Sequence, residues 1–427
     1  MKTVINPPKA QWAKLLERPS AAFDDIKTDV ASILSAVKER GDAALRHFTA
    51  TFDGATIGEL QVGEEALLNA ADMLKQPLKD AIALAAGNIK RFHEAQQEGL
   101  KKVDTMPGVS CWRKSVAIPR VGLYIPGGTA PLFSTILMLG IPARLAGCKE
   151  IVLCTPPRSG GSIHPAILYC ANLLGIKKVF RVGGSQAIGA MAFGTESIPK
   201  VDKVFGPGNA YVTAAKMLVC MEGVAVDMPA GPTELMIFAD ANCPPAFVAA
   251  DILSQAEHGP DSQVVLVAET KAVIDPILRE VEIQLAALPR RDIAVKALGH
   301  SLAVVLESDE EVLSMINMYA PEHLILAVEA PQGLAVRVKN AGSVFMGNYS
   351  PEAAGDYASG TNHTLPTSGH ARAFSGVSLD SFVKKITFQQ ITPEGLAAIG
   401  PAIEEMAAAE DLIGHKRAVS LRLNRNQ

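Results

Sequence analysis

From about residue 114 the chain changes its rhythm, and that change limits the fold more than any single motif does. Short β-rich runs alternate with helical stretches: VGLYI then TILMLGIPARLAG, EIVLCTP then PAILYCANLLG, KVFRVGG then QAIGAMAFG, DKVFGPG then AYVTAAKMLV. Strands separated by helices of this length pair in parallel, because a crossover is what returns the chain to start the next strand in the same direction. A second series begins at ELMIFAD (234–240) and continues through QVVLVAE, SLAVVLES, HLILAV and SVFMG. A chain of 427 residues exceeds what one hydrophobic core usually encloses, so two doubly wound α/β units are expected.

The expected boundaries follow from composition shifts. Residues 1–22 read as an arm with a short helix, and 23–100 as mostly helical from their amphipathic spacing. The strand near Val121 is assigned to the same sheet as the later strands. This gives one discontinuous domain, 23–124 with 234–380, and a second, 125–233, inserted between the PGG loop and the turn DMPAGPTE. Residues 381–427 read as a small helical domain, with Ile403, Met406, Ile413 and Val419 at core-like spacing. The uncharged run Val121 to Ala143 matches a membrane span in length, but four glycines and three prolines break it, so it reads as strand, loop and buried helix. The first residues have no signal-peptide core, and a cytoplasmic protein is expected. With a net charge of -4 and its Lys and Arg scattered, the chain lacks the basic stripe that a nucleic acid requires.

Several clusters carry side chains with chemistry. Three Gly-rich loops, PGGTAP (126–131), GGSQAIG (183–189) and FGPGNAY (205–211), each follow a β-rich run and open a helix. Ligands bind there in open parallel sheets, since glycine lets the backbone approach a phosphate and a helix N-terminus favours negative charge. None reads GxGxxG with an acidic residue about twenty positions on, so a bound nucleotide and plain turns both stay open. In YAPEHLIL, Glu322 and His323 stand side by side ahead of a strand. A carboxylate and an imidazole can divide acid–base work, but both reach one site only where the backbone after Pro321 is irregular.

DILSQAEHGPDSQ stacks Gln255 and His258 three residues apart at the end of a helix that Gly259-Pro260 stops. NYSPEAAGDYASGTNHTLPT (348–367) reads as a long ordered loop containing Asp356 and His363, and loops of that length are usually functional or disordered. AAAEDLIGHKRAVSLR carries Glu410 and His415 on a terminal helix. Together Gln255, His258, Asp356 and His415 offer two nitrogen and two oxygen donors of the kind that holds zinc, although each motif alone is equally a capped or solvated surface element. The six cysteines form no CxxC pair and read as reduced thiols, with Cys154 at a strand end the only one placed for chemistry. A zinc hydrolase and a non-catalytic metabolite-binding protein remain compatible with these residues.

In order along the chain, GLYIPGGTAPLFSTILMLGIPARLAGC, GGSQAIGAMAFGT, VDKVFGPGNAYV, DMPAGPTE, DILSQAEHGPDSQ, PEHLIL, AGSVFMG, SPEAAGDYASGTNHTLPT and AAAEDLIGHKRAVSLR resemble the histidinol dehydrogenase family. The resemblance implies two incomplete Rossmann-like domains, which accounts for the missing dinucleotide fingerprint, with small helical terminal domains. It implies a cytoplasmic homodimer that oxidises L-histidinol with two NAD⁺ and water to L-histidine, through bound L-histidinaldehyde, in the last two steps of histidine biosynthesis. One Zn²⁺ per subunit would be held by Gln255, His258 and Asp356 together with His415 of the partner subunit. Glu322 and His323 match the catalytic pair. Substrate would meet Thr233, His323, His363 and Glu410 along with the four metal ligands, and Tyr124, Gln186 and Asn209 match NAD-contacting positions. Thr233 stands where the family usually has serine, which keeps the hydroxyl and adds a methyl group.

Overall fold

The segments ELMIFA (Glu234–Ala239), QVVLVA (Gln263–Ala268), LAVV (Leu302–Val305) and HLILA (His323–Ala327) are strands buried at every residue. Continuous apolar runs of this kind belong in parallel sheets covered on both faces. The structure, a computed structural model, describes residues 1–19, 23–127, 131–228 and 231–423 and places these strands in a six-stranded parallel sheet. From edge to edge its order is Lys2–Ile5, Leu302–Val305, Gln263–Ala268, Glu234–Ala239, His323–Ala327, Ser343–Met346. Successive residues of each strand serve opposite faces. Leu235, Ile237 and Leu266 pack with Val248, Ile252 and Ile277 on one side, and Met236, Phe238 and Val265 with Trp12, Val312 and Ile316 on the other.

A second parallel sheet has five strands, in the order Lys178–Arg181, Glu150–Thr155, Arg120–Tyr124, Lys203–Phe205, Ala225–Val226. The Arg120–Tyr124 strand therefore lies in this sheet, not with the later strands as the sequence suggested. It pairs with Glu150–Thr155, because the helix Ser134–Ala146 returns the chain directly to its neighbour. The helical segment after residue 22 also covers this sheet: Val30, Leu34 and Leu45 pack with Val152 and Phe180, and Ile82 and Ile89 with Val121 and Ile151. An amphipathic pattern shows that a face is apolar without showing what covers it. The expected N-terminal arm contributes Lys2–Ile5 as the edge strand of the six-stranded sheet.

Residues Met1–Ala95 and Ile118–Phe382, which contain both parallel sheets, form one compact unit, and Gln96–Ala117 with Val383–Gln427 form another. The second unit differs from the expected helical domain. Val383–Ile391 is a strand paired antiparallel with Val109–Ala117, which in turn pairs with Lys102–Met106, and two helices follow, Pro393–Ala409 and Ile413–Arg422. The partner of Val383–Ile391 lies far upstream, so no local pattern announces it. No helix among the described residues is long and apolar enough to cross a membrane.

One buried ion pair shapes the loops between the two sheets. Lys216 is 4% exposed and pairs with Asp227, while its Nζ donates to the Gly206 carbonyl at 3.0 Å. Asp227 accepts from the Gly206 and Met228 amides, both at 2.8 Å. Gly206 itself has φ +128°, and an added Cβ would stand 2.1 Å from the Tyr124 carbonyl oxygen, so only glycine fits. Replacing Lys216 with methionine strands the Asp227 charge, and a loss of about 3–5 kcal/mol in unfolding free energy is expected. In urea or thermal unfolding, the Lys216→Met, Asp227→Leu double variant should lose less than the sum of the two single variants.

Candidate active site

The strand starts of the six-stranded sheet and the strand ends of the five-stranded sheet line one cavity of about 90 Å³, with Gly206, Asp227, Thr233, Glu322, His363 and Thr367 among its walls. Glu322 and His323 stand at the amino end of a central strand, 5% and 4% exposed. The backbone before them is irregular, with Ala320 in the left-handed region at φ +53°. Both side chains face each other, His323 Nδ1 lying 3.7 Å from the Glu322 carboxylate. The neighbouring strand supplies the anchor: Thr233 Oγ1 donates to Glu322 Oε2 at 2.6 Å, and the Glu234 amide donates to the same oxygen at 3.0 Å.

Burial drives the two groups in opposite directions. It pushes the His323 imidazole down to about 4, against the pull of Asp356, so the ring is neutral at neutral pH. It raises the Glu322 carboxyl well above its usual range, against the two donors from the neighbouring strand. Neither His323 nitrogen has a hydrogen-bond partner. Buried polar groups are usually paired, so a buried imidazole without a protein partner on either side marks His323 as a candidate reacting group.

The helix Pro245–Ala256 brings Gln255 to the same region, and His258 follows in the turn after the helix ends. Gln255 is completely buried, and neither its Oε1 nor its Nε2 has a partner. Asp356 lies on a short helix, Glu352–Tyr357, inside the stretch that the sequence suggested was an irregular loop. Its carboxylate lies 3.8 Å from His258 Nε2, 3.9 Å from His323 Nε2 and 4.0 Å from His363 Nδ1. His363 also receives support from the Asp356 carbonyl at 2.9 Å and from Thr135 Oγ1 at 3.2 Å.

Sequence reasoning missed Glu352. Its carboxylate joins His258 and Asp356 in a group whose ligand atoms lie within 4.8 Å of one another. The signal was present: Glu352 and Asp356 are four residues apart, which puts them on one face of a helix, but the loop reading of 348–367 concealed the spacing. Arg18 and Glu234 were missed as well. Arg18 holds the Glu234 carboxylate with two nitrogens, and its guanidinium lies 3.9 Å over the Tyr319 ring. The donor chemistry of His258, Asp356, Glu352 and the unpartnered Gln255 fits a divalent metal ion.

In the five-stranded sheet, Tyr124 ends a strand, is 4% exposed, and its hydroxyl accepts from the Gly184 amide at 3.2 Å. Burial pushes the phenol up to about 12. Gln186 is 1% exposed on the helix Gly184–Phe193, and Asn209 caps the helix Ala210–Met221 by accepting from the Val212 amide. Two of the three Gly-rich loops thus follow a strand and open a helix as expected, while Gly128, Thr129 and Ala130 of PGGTAP lie outside the described residues. Cys154 is fully buried and its thiol is pushed far up by burial, which leaves it inert. Glu410 and His415 belong to the second compact unit, Glu410 after the helix Pro393–Ala409 and His415 on Ile413–Arg422, both exposed.

Two parallel sheets meeting around a neutral imidazole, buried carboxyl groups and a donor set that fits a divalent ion define an α/β enzyme with the groups for acid–base chemistry. Residues 16–423 match the family model described as histidinol dehydrogenase. A histidinol dehydrogenase of Bacteroides thetaiotaomicron is 56% identical over 424 residues, 99% of each chain, and one of Yersinia pestis is 50% identical over 97% of this chain and 93% of its own. The crystal structure of histidinol dehydrogenase from Elizabethkingia anophelis superposes with a TM-score of 0.97 at 53% identity, covering 100% of this chain and 98% of that one. The chain belongs to the histidinol dehydrogenase family, a family of oxidoreductases.

The Thr233 hydroxyl favours the ionised form of Glu322, so its removal raises that carboxyl further. In Thr233→Val the fall of turnover on the acid side should begin at higher pH, by about one unit, as expected for one hydrogen bond to a charged group. Thr233→Ser should keep the parent profile in the same pH–rate measurement.

Proposed function

We propose that the chain is a zinc- and NAD-dependent L-histidinol dehydrogenase that oxidises L-histidinol to L-histidine through bound L-histidinaldehyde, the last two steps of histidine biosynthesis, as a cytoplasmic homodimer. The observation that carries this reading is the pair Glu322 and His323, buried, facing each other, and set against the donor group of His258 and Asp356. The proposed ligands of one Zn²⁺ per subunit are Gln255, His258, Asp356 and His415 of the partner subunit. When bound, zinc supplies an anchor for the substrate's nitrogens, and NAD⁺ supplies the hydride acceptor for each oxidation.

The chain's own residues do the proton chemistry. His323, neutral at rest, takes the hydroxyl proton of histidinol in the first oxidation. Glu322 in its ionised form draws a proton from the water that hydrates the aldehyde, its carboxylate already oriented by Thr233 and the Glu234 amide. His323 serves again in the second oxidation. Thr233, His363 and Glu410 orient the substrate, and Tyr124, Gln186 and Asn209 line the path of the dinucleotide. Holding the aldehyde in the cavity between the sheets limits its contact with bulk water.

Absorbance at 340 nm tests this reading: purified protein given L-histidinol and NAD⁺ should form two NADH per histidinol consumed. None, with zinc present, overturns it in favour of a hydrolase or a binding protein. Glu322→Gln should lower oxidation of added L-histidinaldehyde by about 10²-fold or more while slowing histidinol oxidation less, because only the second stage requires water. Equal losses contradict the role given to Glu322. Sharing of the site is tested by mixing His415→Ala with Glu322→Ala chains: in verified mixed dimers one intact site forms and activity returns, whereas no return places His415 in its own chain's site.

A further inference from the structure

The carboxyl group of Glu352 has no explained role in the proposed ligand set. It is 1% exposed, neither of its oxygens has a hydrogen-bond partner, and it lies among metal-ligating atoms of His258 and Asp356. A buried carboxyl group without donors is destabilising, and proteins keep such groups where a ligand completes them. The backbone fixes its place, since the amide of Glu352 donates to the Asp251 carboxylate on the helix that also carries Gln255. Four residues along its own helix stands Asp356.

We propose that Glu352 is a ligand of the metal in the substrate-free enzyme and is displaced by the substrate, an inference that rests on the metal reading above. The four proposed protein ligands would leave positions on the ion for the nitrogens of L-histidinol. Without substrate those positions would be free, and the Glu352 carboxylate lies among the ligand atoms of His258 and Asp356, within reach of them. When both substrate nitrogens arrive, the carboxylate gives up its place. His323 Nδ1 is 3.6 Å away, so the released carboxylate accepts its N–H and leaves Nε2 as the proton acceptor. Glu352 thus couples arrival of the substrate to preparation of the base.

Cobalt(II) in place of zinc makes the exchange visible without turnover. Full-length wild type and Glu352→Ala, each loaded with cobalt and free of NAD⁺, are titrated with L-histidinol while the visible ligand-field bands are followed. The expected result is that the two proteins differ in spectrum without histidinol and coincide when saturated with it. Removing the competing ligand should weaken cobalt binding in the free protein by about tenfold and, by linkage, tighten histidinol binding to the cobalt form by a similar factor. A merely structural role for Glu352 predicts weaker binding of both. Identical spectra without histidinol, a spectral difference that persists at saturation, or weakened histidinol binding overturns the proposal. Glu352→Gln provides the same comparison if the alanine variant does not fold, with the same signs expected. Wild type that takes up no cobalt, or whose bands ignore histidinol, overturns the metal reading itself, an outcome separate from failure of the exchange alone.

Discussion

The site depends on opposing two different sheet edges. In open parallel sheets ligands usually lie outside the carboxyl ends of the strands, at the point where strand order reverses. The five-stranded sheet follows that rule with Tyr124, Gly184 and Gly206. The six-stranded sheet does not: its reversal falls between Glu234–Ala239 and His323–Ala327, but Thr233, Glu322 and His323 stand at the amino ends of those strands. A helix that returns from the carboxyl edge must end at the amino edge. The helix Pro245–Ala256 therefore delivers Gln255 and His258 there with its C-terminus, the end whose partial negative charge favours a cation.

Polar groups around the site fall into two layers. The supporting layer is satisfied: Arg18 binds Glu234 and the Tyr319 carbonyl, the Tyr319 hydroxyl donates to Gln263 at 2.8 Å, and Thr233 with the Glu234 amide holds Glu322. Such a network is rigid because each member fixes the next. A second layer is bare, with His323, Gln255 and Glu352 all buried and lacking partners. Three such residues gathered in one region are what a site for a bound group requires, since buried polar groups are usually paired.

Much of this was legible in the sequence, and the gaps have physical causes. Parallel winding was readable because a buried parallel strand is a local apolar run and its crossover helix follows immediately. Which sheet the Arg120–Tyr124 strand joins was not, since pairing is decided by the shortest return of the chain, and the strand at Val383–Ile391 was hidden because its partner is distant. At the site, Glu322, His323, Asp356 and His258 were singled out by residue type, and the structure brings these four together. Glu352 was lost through one misread element: once 348–367 was taken as a loop, helical spacing had no meaning there. Glu234 and Arg18 carried no signal, because an arginine near the N-terminus meets its carboxylate only after the sheet has formed.

The division of labour between Glu322 and His323 is a consequence of shared burial. Deep in the protein, both neutral forms are favoured, so the carboxyl group holds its proton more tightly and the imidazole holds one less tightly than in water. The two shifts reverse the usual order of the pair, so at rest a shared proton belongs on Glu322 and the His323 ring, 3.7 Å away, stays bare. When His323 accepts a proton, the charge it gains is met by carboxylate oxygens of Glu322, Glu352 and Asp356 at 3.6–3.9 Å. Burial disfavours the charged ring, and these acceptors offset part of that cost when the proton arrives, which is what lets a buried base work.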